Sequence, residues 1–70
     1  SNEQAMLQSL SSQEVKVMRA ILNGADNMQI ASEMHISNKT VSTYKGRLME
    51  KLGCKSLVDL FSFANRNKIG

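Results

Sequence analysis

The side chains with the most chemistry to offer lie between Lys39 and Lys55. Lys39, Lys45, Arg47, Lys51 and Lys55 stand there against one acid, Glu50, a local balance of +4. Among them sit three small residues, Ser42, Thr43 and Gly46. Lysine and arginine at this density meet phosphates, and both also fit the paired acceptors on a guanine edge. Short hydroxyl residues and a glycine allow a backbone to come close to its target. The spacing therefore points to binding of a polyanion.

Other chemistries are thinly represented. The single cysteine, Cys54, has no partner for a disulfide, and with one histidine, His35, there is no zinc framework. Cys54 reads as a small buried hydrophobe and His35 as a turn residue. No nucleophile–base constellation and no glycine-rich phosphate loop occurs, so the sequence predicts a non-enzymatic binding module without cofactor or metal. No apolar run approaches the roughly 18 residues of a membrane span, and the N-terminus lacks a hydrophobic signal core. The expectation is a cytoplasmic protein that makes no membrane contact.

These residues need a scaffold, and 70 residues allow one small domain. With 41% hydrophobic residues, no proline and four glycines, the composition favours helices. Charge is divided unequally. Residues 1–37 carry a net −2 and residues 38–70 a net +5, which suits a nucleic acid or an anionic surface as partner.

Residues 1–8 show no apolar periodicity and read as the end of a linker or a remnant of a longer chain, leaving 9–70 as the domain. Four helix starts follow. Ser11 and Glu14 form a capping box, and the first predicted helix turns Glu14, Val17, Met18, Ile21 and Leu22 to one face before Gly24 ends it. Asp26 and Gln29 repeat the box for a second, short helix with Ile30, Ala31 and Met34 inward. After a tight turn at His35-Ile36, Ser37 caps a third helix from about 38 to 52, closed by Gly53. Ser56 with Asp59 opens the fourth. The prediction is a compact all-α, four-helix domain containing a helix–turn–helix at about 26–45, made of its second and third helices. The five methionines read as core filler.

At 100° per residue, the third helix places Val41, Tyr44, Leu48 and Leu52 on one side. Lys39, Ser42, Thr43, Gly46, Arg47 and Glu50 fall opposite, with Lys45 and Lys51 at the flanks. This small-centred, basic-edged face suits the major groove of B-DNA, about 12 Å wide. A protein-interaction module docking an acidic partner is the competing class.

Leu10-Ser11-Ser12-Gln13-Glu14, Gly24, Asn27-Met28-Gln29-Ile30-Ala31, Ile36 to Val41 and Lys51-Leu52-Gly53 together resemble the LuxR/NarL/FixJ-type helix–turn–helix domain, over about Leu10 to Asn67. Ser37 to Ser42 with Lys55-Ser56 look nearest to BvgA/EvgA-type response-regulator effector domains. The resemblance implies a sequence-specific, double-stranded-DNA-binding output domain of a bacterial transcription regulator in a two-component system. It places Lys39, Ser42, Thr43, Gly46 and Arg47 toward the bases, and Asn38, Thr40, Lys45, Lys51, Lys55 and Ser56 on phosphates. A receiver domain, a sensor kinase and RNA polymerase are the further partners it implies for a full-length parent. The sequence departs from the family in lacking a basic residue at Ser42 and at Gly46.

The fourth helix has more apolar residues than one stripe requires. Leu57, Leu60, Phe61 and Ala64 are expected inward, which leaves Val58 and Phe63 outward beside Ser62 and Asn65. The resemblance makes this helix the pairing surface of a weak homodimer, through Val58, Ser62 and Asn65.

Overall fold

The computed structural model describes residues 2–70, so the Ser1 end of the expected linker lies outside the described residues. The described residues form five helices: α1 (Asn2–Gln8), α2 (Ser12–Leu22), α3 (Asn27–Met34), α4 (Asn38–Lys51) and α5 (Leu57–Arg66). The four predicted helices are α2 to α5, and the remaining one corrects the expected count. Residues 2–8, read as linker, are helical and dock Met6 and Leu7 on the core. Two adjacent large apolar residues in a helix of seven leave no periodicity to detect. The ties that hold α1 lie far along the chain. Glu3 receives Arg66 Nη2 at 2.8 Å and Asn67 Nδ2 at 2.8 Å.

Each predicted cap is present. The Ser11 hydroxyl accepts from the Glu14 amide at 3.1 Å while Glu14 Oε1 accepts from the Ser11 amide at 2.8 Å. Asp26 and Gln29 bond reciprocally at 2.9 Å in both directions. The Ser37 hydroxyl accepts from the Thr40 amide at 3.0 Å. Ser56 accepts from the Asp59 amide at 3.1 Å, and Asp59 reaches past it to the Lys55 amide at 2.8 Å. Such a cap contributes about 1 kcal/mol where the first-turn amides would otherwise be orphaned.

The helix ends share one device. A left-handed residue follows the last turn of α2 to α5, and the next amide reaches back five residues. Gly24 and Gly53 take that conformation with no Cβ to clash, at φ 90° and 68°. His35 and Lys68 adopt it as well, both at φ 57°, against a steric cost of about 1 kcal/mol. The residue after each is apolar: Ala25, Ile36, Cys54 and Ile69. All four pack in or against the core, and the Cys54 amide reaches Met49 O at 2.8 Å. Cys54 is therefore the apolar seal on the end of α4.

Helix α4 packs on both α2 and α3. Val41, Leu48 and Leu52 meet Val17, Met18, Ile21 and Ile30 in one buried cluster. Four of the five methionines join or abut that cluster, but Met28 is 72% exposed. Helix α5 has the expected period in a different phase. Leu60, Phe63 and Ala64 are buried, whereas Leu57 and Phe61 are exposed. The i, i+3, i+4, i+7 stripe begins at Leu60 rather than Leu57 and ends at Asn67, a rotation of about 60°. The cause is α1. Met6 faces the same groove as Phe63, and Glu3 holds Arg66 and Asn67 on that side.

One charged group is buried in the core, Glu14, at 2% exposure. Lys51 Nζ donates to its Oε1 at 2.7 Å and to the Ser9 carbonyl at 3.2 Å. The Lys51 ammonium, and next the Ser11 amide, hold the Glu14 carboxyl below its ordinary range. Folding thus weakens proton binding at Glu14. Its stabilising contribution is complete above the ordinary value of 4.5 and is lost as pH falls through the lower folded value. Lys51→Ala should cost about 1–3 kcal/mol by stranding a buried carboxylate, and should move the acid limb of the melt to higher pH. Glu14→Gln should flatten that limb. Thermal melts between pH 2 and pH 7 check both.

Candidate nucleic-acid interface

The core fixes which side of α4 meets solvent. With Val41 and Leu48 fully buried, Lys39, Ser42, Thr43, Gly46 and Arg47 are all exposed on the opposite side. The five predicted base-facing residues therefore share one surface. Their own hydrogen bonds differ. Thr43 Oγ1 donates to the Lys39 carbonyl at 3.1 Å, whereas Ser42 Oγ accepts from Asn27 Nδ2 at 3.3 Å. The second bond ties the start of α3 to the face of α4. Nothing in the spacing of Asn27 within its own helix marks it as a partner of Ser42.

The predicted phosphate residues fall into four groups. Asn38 and Thr40 lie in the first turn of α4, where the helix N-terminus favours an anion. The Thr40 hydroxyl lies 2.9 Å from that of Ser37. Lys45 is half-buried beside Ala25, Asp26 and Asn27 in a cleft that Leu57 and Phe61 complete. Lys55 and Ser56 begin α5, with Lys55 exposed. Lys51 stands apart, because its ammonium is engaged by Glu14 and Ser9. Two of its three donors are used inside the domain.

Val58, Ser62 and Asn65 are exposed on α5, Val58 at 72%. Phe63, expected beside them, is buried. Cys54 shows no trace of reactivity. Burial, and then the nearby Asp59 charge, raises its thiol pKa, the opposite of what a redox-active cysteine requires. Among the described residues no group of His, Cys, Asp or Glu could hold a metal ion.

The profile of the bacterial regulatory proteins of the luxR family matches residues 8–64. The chain belongs to that family. Among its luxR-family relatives is the DNA-binding transcriptional activator EvgA of Escherichia coli K12, 68% identical over 69 residues. That match takes in 99% of this chain and 34% of EvgA. The virulence transcription regulator BvgA of Bordetella pertussis is 43% identical over 68 residues, 97% of this chain and 32% of BvgA. Both are the relatives to which Ser37–Ser42 and Lys55-Ser56 pointed. The chain spans about a third of the length of these curated relatives. Among solved structures, the response regulator StyR superposes with TM-score 0.87 at 30% identity, over 90% of this chain and 32% of that one. Full-length FixJ from B. japonicum superposes at 0.86 and 35% identity, over 94% of this chain and 32% of that one. The luxR-family fold is thus the arrangement of α2 to α5 described above.

Gly46 lies mid-helix on this face, and a Cβ built there meets nothing within 4 Å. Gly46→Ala should therefore stabilise the free domain by up to about 1 kcal/mol. Gly46→Leu should stay folded but fill the clearance and sharply weaken DNA binding. Thermal melts beside duplex titrations separate the two effects, and unchanged affinity of the Leu variant would mean that this face never enters a groove.

Proposed function

We propose that this chain is a sequence-specific, double-stranded-DNA-binding output domain of a bacterial transcription regulator, with α4 lying in the major groove. The observation that carries the reading is the sorting of α4 into a buried apolar side and an exposed side bearing Lys39, Ser42, Thr43, Gly46 and Arg47. The relative EvgA, named as a DNA-binding transcriptional activator, lends support. In this reading α4 inserts with its small residues against base edges. Asn38, Thr40, Lys45, Lys55 and Ser56 then meet phosphates and set the register. The module works by binding and not by catalysis.

Lys51 takes a different part from that first expected of it. Its charge is balanced by a buried carboxylate, so its main role is to fix α4 on α2 and not to neutralise phosphate. The parent protein would act in the cytoplasm. It would join this domain to a receiver domain that answers a sensor kinase, with RNA polymerase as the downstream contact. No helix among the described residues is long and apolar enough to cross a membrane.

Pairing on DNA would use α5. Val58 projects on the side away from Leu60, Phe63 and Ala64, with Ser62 and Asn65 nearby on the same helix. Val58, with the exposed Phe61 one turn on, supports a small contact, below about 1,200 Å². Two subunits on adjacent half-sites meet at high effective concentration, which makes a weak contact sufficient.

Selection from a random duplex pool tests the reading, with an enriched motif as the expected result. On that motif, log K should fall steeply with log salt, by about 0.9 per phosphate neutralised. If two subunits bind, Lys39→Gln or Lys55→Gln should flatten the slope by about two units, while Lys51→Ala should alter stability more than slope. A wild-type slope near zero would contradict the phosphate contacts. Val58→Asp should keep the helical signal and half-site affinity but abolish cooperative occupancy of a paired site. Persisting cooperativity would place the pairing surface elsewhere.

A further inference from the structure

Helix α1 is the least secured element of the domain. It has seven residues, none of them buried, and an isolated helix needs roughly 12–15 residues to hold itself in water. Its order therefore depends on docking, which two kinds of contact supply. Met6 and Leu7 pack half-buried against the core, and Glu3 clamps the end of α5. The Glu3 carboxylate accepts from Arg66 Nε at 3.3 Å, from Arg66 Nη2 at 2.8 Å and from Asn67 Nδ2 at 2.8 Å. The side chains of this ion pair keep 34% (Glu3) and 55% (Arg66) of their surface in solvent, so the clamp is weak and screened by salt.

What α1 covers is largely apolar. Glu3 and Met6 close a groove that Leu52, Cys54 and Phe63 line from the other side. The rest of the domain has its own supports. Leu60 and Ala64 are buried outside that groove and keep α5 on the core, while α4 packs on α2 and α3. The turn after α1 is pinned separately, by Lys51 Nζ on the Ser9 carbonyl at 3.2 Å. We propose that α1 is a strap, hinged at Ser9, that opens as one segment while α2 to α5 stay folded, and that the Glu3 clamp sets how often the groove is bared. Ionic strength thereby grades the opening. Ser62, assigned above to pairing, also lines the groove, so the strap closes beside that surface. The inference is independent of the DNA-binding reading.

Cys54 is the single cysteine of the chain and supplies the readout. Its thiol is buried when α1 is docked, so alkylation by iodoacetamide under native conditions counts openings, with each rate normalised to that of the unfolded variant. At low salt, Glu3→Gln should speed labelling about fivefold, the weight of an exposed ion pair and one net hydrogen bond. Met6→Ala should speed it as well, by removing an apolar contact without altering charge. Raising ionic strength from about 0.01 M to 1 M shortens the Debye length from about 30 Å to 3 Å, and wild type should then label nearly as fast as Glu3→Gln. Ile21→Val is the control. It thins the core beside the Lys45 cleft, away from α1, and lowers global stability, yet should leave the labelling rate unchanged. Circular dichroism confirms that each variant folds. Equal rates in wild type, Glu3→Gln and Met6→Ala, or an Ile21→Val variant that labels as fast as those two, would mean that Cys54 is reached only through global unfolding. Either result overturns the strap.

Discussion

Burial of Val41, Leu48 and Leu52 against α2 and α3 sets the rotation of α4, and the exposed chemistry follows from that rotation. Each such side chain stabilises the fold by about 1.5–3 kcal/mol when removed from water. A small domain has a net stability of about 5–15 kcal/mol. Turning α4 to bury its basic side would forfeit much of that margin, besides desolvating Lys39 and Arg47. The helix is held at one angle, so five residues scattered over nine positions become one surface. Helix α3 braces that surface from beside it through Asn27, and Glu14 holds its far end through Lys51.

The Glu14–Lys51 pair contributes more to placement than to net stability. Desolvating a carboxylate offsets most of the attraction between the two groups. The carboxylate, however, also closes the capping box of α2 with the Ser11 amide, and the same lysine holds the Ser9 carbonyl at the junction of α1 and α2. One buried group therefore joins the start of α2, the end of α4 and the α1–α2 turn. A misplaced α4 would leave it unpaired. That penalty reinforces the choice of register which the apolar contacts have already made.

What could be read from the sequence was local. Capping needs residues three apart, and Ser11, Asp26, Ser37 and Ser56 were all legible for that reason. The two-sided pattern of α4 was equally legible, because its apolar and basic residues alternate at the helical period. The missing parts depend on long-range partners. Arg66 meets Glu3 across 63 positions and Lys51 meets Glu14 across 37. Without α1, whose apolar residues are too few to show a period, nothing in the α5 sequence favours a stripe beginning at Leu60 over one beginning at Leu57. The exchange of Phe61 for Phe63 follows from that single ambiguity. Asn27 escaped notice for the same reason: its partner lies on the next helix, 15 residues away.

The central claim is that the side of α4 opposite its buried stripe is the surface that meets DNA. Backbone amide chemical shifts of the isotopically labelled domain, followed during titration with a duplex selected from the random pool, address it residue by residue. The account predicts the largest changes at Asn38 to Arg47 and at Lys55-Ser56, with little change in α1 or around Glu3 and Arg66. Changes concentrated on α1 and the Phe63–Asn67 end of α5, with Ser42, Thr43 and Gly46 unmoved, would contradict it.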